Sequence, residues 1–141
     1  MEKIVINGSP KKDGTTAKLC QRFNLPIVHL ADGIEEAVAE IMVAEDIVFA
    51  TPVYWFNVSA LMKQLIEALP ESPNFPCLGK RAYFFAVCNE DGGQQAINQM
   101  FAPLNHMGFT IPPWACHFYN LNTVGKSEDN WQEDFSLEIT N

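Results

Sequence analysis

Residues 3–19 read KIVINGSPKKDGTTAKL, and this stretch decides the fold. Lys3–Asn7 is short, rich in β-branched residues and stopped by Gly8-Ser9-Pro10, which is typical of a buried strand that ends in a turn. Thr15–Phe23 then has the apolar spacing of a short helix. Because a strand, a loop and a helix in this order begin a β-α-β unit, we expect the rest of the chain to repeat the alternation.

The alternation continues to residue 119. Four further short apolar runs predict strands: Pro26–Leu30, Ile47–Ala50, Ala82–Val87 and a run within Trp114–Tyr119. Apolar residues at helical spacing predict three further helices: Ile34–Asp46, one that Asn57 or Ser59 caps and Pro70 ends, and Gln94–Met107, which Pro103 should kink or break. We therefore expect an α/β protein with a doubly wound, five-stranded parallel sheet of order 2-1-3-4-5 in a three-layer sandwich.

The composition predicts a single globular domain over residues 1–141. Apolar residues make up 48% and charged residues 18% of the chain, which excludes extended disorder. The net charge of −8 argues against binding to nucleic acid or to an anionic membrane surface. Residues 127–141 form an acidic C-terminal segment, in which Ser127 is a candidate cap for a last short helix.

The four cysteines, Cys20, Cys77, Cys88 and Cys116, predict neither a metal site nor disulfides, because no pair has C-x-x-C spacing. The chain enters a strand-like run directly after Met1, without a signal peptide. No apolar run reaches the length that spans a membrane. From these features we expect a cytoplasmic protein with reduced thiols and no membrane partner.

The loops that follow the strands are the candidate binding elements, since ligands of such sheets bind outside the carboxyl ends of the strands. The first loop, GSPKKDGTT at 8–16, offers backbone amides, three hydroxyls and the cation of Lys11. Amides at the start of a helix bind phosphate well. The loop is neither a nucleotide P-loop nor G-x-G-x-x-G, and an ordinary capped turn is the alternative.

Two further loops add to this pattern. TPVYWFN at 51–57 carries three consecutive aromatic residues, which suit a planar heterocycle but equally a subunit contact. NEDGG at 89–93 has two glycines that permit close approach of the backbone to a ligand, although a plain turn would look the same. Three ligand-compatible loops after three neighbouring strands are the strongest indication of a binding site in the sequence.

Three runs carry a resemblance to flavodoxin-like NAD(P)H-dependent FMN reductases. INGSPKKDGTTAKL at 6–19 resembles the phosphate loop of that family. ATPVYWFNVSALMKQLIE at 50–67 resembles its flavin loop and the helix that follows, and CNEDGGQQ at 88–95 resembles its third, glycine-rich flavin loop. The resemblance implies bound FMN and hydride transfer from NAD(P)H through FMN to a small acceptor, such as a quinone, flavin, nitro or azo compound. It also implies a homodimer.

The resemblance further implies which residues hold FMN. Ser9, Lys11, Thr15 and Thr16 would hold the phosphate; Pro52, Val53, Tyr54 and Trp55 the ribityl chain and the ring; and Asn89, Glu90, Gly92 and Gly93 the pyrimidine side of the ring. No side chain need be catalytic, because the flavin carries the chemistry. The loop after the second strand lacks the cysteines of the iron–sulfur members, so no metal cluster is expected.

Two alternatives use the same fold. A flavodoxin-type one-electron carrier would bind FMN without direct turnover of NAD(P)H, and its acidic surface would steer it to basic redox partners. A cofactor-free scaffold would place the aromatic residues in a dimer contact, but the three loops would then coincide by chance. The pair of loops GSPKKDGTT and TPVYWFN favours the reductase.

Overall fold

The computed structural model describes residues 2–70 and 74–123. The strands are β1 (Lys3–Asn7), β2 (Ile27–His29), β3 (Asp46–Pro52), β4 (Arg81–Cys88) and β5 (Cys116–Asn120). The α-helices are α1 (Thr15–Cys20), α2 (Ile34–Val43), α3 (Ala60–Ala68) and α4 (Gly93–His106), and short 3₁₀ helices follow α1, β2 and β5 at Gln21–Phe23, Leu30–Asp32 and Leu121–Thr123. The acidic segment 127–141 and the helix predicted in it lie outside the described residues.

The five strands form one sheet of order β2-β1-β3-β4-β5, and every pair is parallel. This confirms the predicted fold class and strand order. The register sets Asn7 of β1 opposite Ala50 of β3, and Pro52 of β3 opposite Val87 of β4. The loops after β1, β3 and β4 therefore start at the same edge of the sheet.

The three central strands, β1, β3 and β4, are buried along nearly their whole length without alternation, because helices cover both faces of the sheet. All seven residues of β3 are buried. Along β1, Ile4 and Ile6 join the core under α2, α3 and α4, whereas Val5 joins the core under α1. Successive side chains of a strand point to opposite faces, so β1, β3 and β4 each contribute to both cores. The result is the three-layer arrangement that the sequence predicted.

Two predicted helices end earlier in the structure. Helix α1 stops at Cys20 and tightens into a 3₁₀ turn, and α2 stops at Val43, three residues before the predicted end. At the end of α2 the Lys80 ammonium donates hydrogen bonds to the carbonyl oxygens of Met42, at 2.9 Å, and Ala44, at 2.6 Å. A cation on the last carbonyls satisfies groups that the helix leaves without partners.

Of the kink or break that was predicted at Pro103, the break is wrong. Helix α4 runs without interruption from Gly93 to His106, with Pro103 inside it. Pro103 has no N–H to donate to the carbonyl of Gln99, and this loss falls near the end of the helix. The apolar residues before and after it, among them Met100 and Leu104, are fully buried and hold the last turns on the sheet.

The edge of the sheet formed by the amino ends of the strands is closed by an ion pair. Asp46 starts β3 and lies opposite Arg81, which starts β4. The Arg81 guanidinium donates to both carboxylate oxygens of Asp46, with Nη2 to Oδ2 at 2.9 Å. Asp46 is almost completely buried, whereas the Arg81 side chain is about 42% exposed. This hydrogen bond holds the pKa of Arg81 above its usual value, so the guanidinium stays charged.

Candidate functional site

The three loops at the carboxyl edge border a cleft of about 350 Å³. Eight of the predicted site residues line it: Ser9, Lys11, Thr15 and Thr16 from the first loop, Pro52, Val53 and Tyr54 from the second, and Asn89 from the third. Val87 and Leu121 also line this cleft. The structure thus brings together residues that lie up to 80 positions apart, from Ser9 to Asn89.

A second cleft, of about 300 Å³, adjoins the first. It is lined by Val53, Trp55, Phe56, Asn89, Glu90 and Asp91. Val53 and Asn89 border both clefts, so the two are direct neighbours along the loops, and we call the pair of clefts the groove. The second cleft adds the predicted residues Trp55 and Glu90, and leaves only Gly92 and Gly93 outside the lining.

Gly92 and Gly93 are buried between loops instead. A Cβ atom on Gly92 would lie 2.8 Å from the Cα of Phe56, and one on Gly93 would lie 2.6 Å from the Cβ of Phe118. Gly92 also has φ +94°, which favours glycine. Close approach of the backbone is therefore required here by the second loop and by β5, and contact of these glycines with a ligand stays a prediction.

The first loop is held by a buried asparagine. Asn7 is fully buried, and its Oδ1 accepts a hydrogen bond from the Ser9 amide at 3.0 Å. Its Nδ2 lies 3.0 Å from Nδ1 of His29 on the neighbouring strand. The Ser9 hydroxyl oxygen accepts from the Lys11 amide at 3.1 Å. These bonds curl the loop so that Lys11 lies beside the hydroxyls of α1 at the cleft.

Ser59 ties the first loop to the second. Its hydroxyl donates to the carbonyl oxygen of Gly8 at 2.6 Å and accepts from the Met62 amide at 3.1 Å, and its own amide donates to Oγ1 of Thr51 at 3.0 Å. Ser59, and not Asn57, is thus the cap of α3. Since Ser59 is only 1% exposed, these bonds are shielded from water and fix the two loops relative to each other.

The second loop turns back at its aromatic tip. The amide of Tyr54 donates to the carbonyl of Asn57, and the amide of Asn57 donates to the carbonyl of Tyr54, both at 3.0 Å. The two residues between them, Trp55 and Phe56, have φ of 50° and 66°. A two-residue turn with positive φ at both positions normally takes Asn and Gly. The Trp55 side chain is 90% exposed at this tip.

The groove has a positive and a negative end. Lys12 pairs with Asp32 at 2.8 Å on the surface, whereas Lys11 lines the first cleft and has no salt bridge to any carboxylate among the described residues. Glu90 and Asp91 line the second cleft at the other end. This distribution fits an elongated ligand with an anionic group at the Lys11 end.

Cys88 directly precedes the third loop, and its side chain is buried. Burial raises the pKa of its thiol, and its Sγ donates to the carbonyl oxygen of Tyr119 at 3.7 Å. All four cysteines are free. No group of three His, Cys, Asp or Glu side chains suited to a metal ion occurs among the residues that the structure describes.

Several residues around the groove were not among the predicted site residues, and the sequence carried a signal for only some of them. Phe56 stands in the aromatic run and Asp91 in the acidic one, so the sequence contained a signal for both. Val87 and Leu121 border the cleft only because β4 and β5 follow β3 across the sheet. Asn120 also has a supporting role, since its Nδ2 donates to the carbonyl of Glu90 at 2.8 Å and braces the third loop.

The fold and the groove together define a class of protein. A five-stranded parallel sheet of order 2-1-3-4-5, with three binding loops at its carboxyl edge, is the flavodoxin-like arrangement. A hydroxyl-rich, cationic pocket next to exposed aromatic side chains fits a ligand with a phosphate at one end and a flat ring at the other. FMN has this shape, so the residues present fit it.

A profile of one family, described as NADPH-dependent FMN reductase, matches residues 24–119. The chain belongs to this family of flavin-dependent oxidoreductases. The matched range includes the second and third loops and begins after the first loop, so the role of residues 8–16 is inferred from their position in the groove. A search of curated proteins found no match to the sequence.

Solved structures show the same fold. A flavodoxin, WrbA-like protein from Agrobacterium tumefaciens superposes with a TM-score of 0.80 at 15% identity, covering 99% of this chain and 95% of the other. An NADH:FMN oxidoreductase gives 0.73 at 21% identity, covering 98% and 89%. The Trp repressor binding protein from Bacillus subtilis gives 0.66 at 27% identity, covering 78% and 80%. No described helix is both long and apolar enough to cross a bilayer.

Proposed function

We propose that the protein binds FMN in the groove and uses NAD(P)H to reduce a small acceptor, such as a quinone, flavin, nitro or azo compound. The observation that carries the proposal is the junction of the two clefts at Val53 and Asn89. It joins a cationic, hydroxyl-rich pocket to an aromatic tip in a member of the FMN reductase family.

The first loop would hold the phosphate. Lys11 supplies the positive charge, and Ser9, Thr15 and Thr16 supply hydroxyl groups around the same cleft. Lys12 is unsuited to this role because Asp32 already pairs with it. Hydrogen bonds between ionised partners are stronger than neutral ones, so Lys11 should contribute most to the affinity.

The second loop would hold the ring. Pro52, Val53 and Tyr54 continue the cleft away from Lys11, and Trp55 follows where the second cleft begins. Aromatic side chains offer flat, apolar contact to a planar ring. When bound, FMN would supply the transfer of two electrons between nicotinamide and acceptor.

The third loop would set the electrostatic environment of the ring. Asn89 borders both clefts, and Glu90 and Asp91 line the second one. Negative side chains at this end disfavour a build-up of negative charge on a neighbouring ring, so they should lower the reduction potential of bound FMN. No side chain of the groove is proposed as a nucleophile or general base.

The exposed tip also supports a homodimer as part of the proposal. Trp55 is 90% exposed, and Tyr54 and Phe56 are each 47% exposed, and a contiguous exposed apolar patch is typical of an interaction site. A partner subunit packed near this tip would cover the apolar surface beside the groove. The free thiols suit work in the reducing cytoplasm.

The decisive experiment is an anaerobic absorption titration. FMN is added to the purified protein, the spectrum is recorded, and NADPH or NADH follows. Bleaching of a bound, spectrally shifted flavin by either nucleotide supports the reductase. A shifted flavin that ignores both nucleotides but is reduced by dithionite in two separate one-electron stages would support a one-electron carrier instead. Riboflavin, which lacks the phosphate, is the matched ligand control and should bind more weakly. A spectrum identical to that of free FMN would exclude both functions.

A further inference from the structure

The strained tip of the second loop, Tyr54–Asn57, is held by a side chain from a distant helix. Gln99 of α4 makes two hydrogen bonds to this loop. Its Nε2 donates to Oδ1 of Asn57 at 2.7 Å, and its Oε1 accepts from the amide of Val58 at 3.0 Å. Both atoms of the Gln99 amide are thus engaged by consecutive residues of the loop.

Asn57 passes this restraint to the aromatic tip. Its Nδ2 donates to the carbonyl oxygen of Trp55 at 2.7 Å, while its backbone pairs in both directions with Tyr54. Asn57 therefore restrains the peptide between Trp55 and Phe56 through both its side chain and its backbone. Gln99, Asn57 and the Trp55 carbonyl form one chain of hydrogen bonds from α4 to the groove.

Such a restraint has a reason in the local backbone. Trp55 and Phe56 have φ of 50° and 66°, a conformation that side chains larger than those of Gly, Asn and Asp rarely adopt. A turn that its own sequence disfavours persists only when its surroundings impose it, and such turns cluster at functional sites. Here both residues of the tip line the second cleft.

We propose that Gln99 is a positioning residue, which acts through Asn57 to hold Trp55 and Phe56 at the place where the flavin ring binds. The inference rests on the proposed function for the identity of the ligand. The hydrogen bonds from Gln99 to Asn57 and Val58, which we call the clamp, are a property of the free protein. Gln99 lies outside both clefts that border the groove and need not touch the cofactor.

The test compares Gln99→Ala with a matched control, Gln94→Ala. Gln94 is on the same helix and also bonds an asparagine, Asn98, at 3.1 Å, but entirely within the helix. In the FMN-free protein, amide hydrogen exchange at Asn57 and Val58 should speed up about tenfold in Gln99→Ala. The dissociation constant for FMN should rise about fivefold. In Gln94→Ala both quantities should remain as in the wild type.

A third variant separates positioning from a general loss of stability. Phe56→Gly removes the disfavoured positive φ of a bulky residue, so the turn needs the clamp less. Adding Gln99→Ala to Phe56→Gly should therefore change FMN affinity by less than about twofold. A purely structural role of Gln99 would weaken binding by the same factor in both backgrounds, and that result would overturn the proposal.

The outcomes separate the clamp from the function. If wild-type protein binds FMN but Gln99→Ala matches it in exchange and affinity, the clamp is wrong and the function stands. Faster exchange in Gln99→Ala with unchanged FMN affinity would also overturn the positioning role. If the wild type does not bind FMN, the proposed function fails, and the exchange rates at Asn57 and Val58 alone decide whether the clamp exists.

Discussion

The two edges of the sheet use similar side chains for opposite purposes. At the amino edge, Arg81 binds the carboxylate of Asp46, and Lys80 binds the last carbonyls of α2. At the carboxyl edge, Lys11 lines a cleft and forms no salt bridge with the described carboxylates. The first edge is closed by bonds within the protein, whereas the second keeps its donors directed at a cleft.

The comparison shows how one topology can both stabilise a fold and bind a ligand. Parallel strands all start at one edge of the sheet and all end at the other, and the loops that follow their carboxyl ends are the ones that bind ligands. Paired charges at the amino edge leave little for a ligand to gain. Hydroxyl groups and an available ammonium at the other edge can exchange water for phosphate oxygens. Changes at the two edges should therefore affect different measurements.

The largest effect on stability is expected at the amino edge of the sheet. Arg81→Met leaves the buried Asp46 carboxylate without its guanidinium, which should lower the free energy of unfolding by about 3 kcal/mol. FMN affinity should stay within about twofold, because the groove is at the other end of the strands. Urea unfolding and an FMN titration measure the two quantities. Adding Asp46→Asn should restore part of the lost stability; if it lowers stability further, the pair does not act through charge.

The next largest effect is expected at the carboxyl edge of the sheet. Lys11→Ala should weaken FMN binding about 30-fold, or about 2 kcal/mol, because a charged hydrogen bond to phosphate is lost. The melting temperature of the FMN-free protein should not change, since Lys11 forms no salt bridge with the described carboxylates. Lys12→Ala is the matched control: its partner is Asp32, so FMN affinity should stay near that of the wild type. Equal effects of the two substitutions would remove the phosphate assignment.

A smaller effect is expected where the two loops are joined. Ser59→Ala removes both the cap of α3 and the hydrogen bond to Gly8, and should lower the free energy of unfolding by about 1.5 kcal/mol. FMN affinity should fall about threefold as the loops loosen. Ser59→Gly separates the two roles, since glycine caps helices nearly as well as serine. FMN binding by Ser59→Gly that equals the wild type would show that the cap alone matters.

The lining of the groove was more predictable than its supports. Lys11, Thr15 and Trp55 could be placed because loops after parallel strands meet at one edge, and that rule needs only the order of strands and helices. Gln99 could not be placed in this way. It looks like an exposed helix residue, and its role depends on the rotation of α4 relative to a turn 42 positions earlier.

The errors have a similar cause. The break expected at Pro103 follows from local propensity, but the buried residues on either side of it keep α4 intact. The positive φ of Trp55 and Phe56 also contradicts local propensity. Local rules fail here because tertiary contacts override them, and at the aromatic tip the failure coincides with the candidate site.

The smallest predicted effect concerns α1, which begins at the carboxyl edge of the sheet and ends in the core. Its last residue, Cys20, is fully buried, and burial raises the pKa of its thiol to about 12 from its ordinary value of 9.0. The neutral thiol therefore contributes stability that is complete below pH 9 and is lost as the pH rises toward 12, because only the unfolded chain ionises.

Between pH 7.5 and 9.5 the ionisation of Cys20 in the unfolded chain should cost the wild type about 0.8 kcal/mol of unfolding free energy. Cys20→Ala should lack that part of the loss, whereas all other groups titrate in both proteins. Urea unfolding under reducing conditions at the two pH values measures the difference. If both proteins lose the same amount, the thiol of Cys20 is accessible to water, and the inner end of α1 is less tightly packed than its place in the core requires.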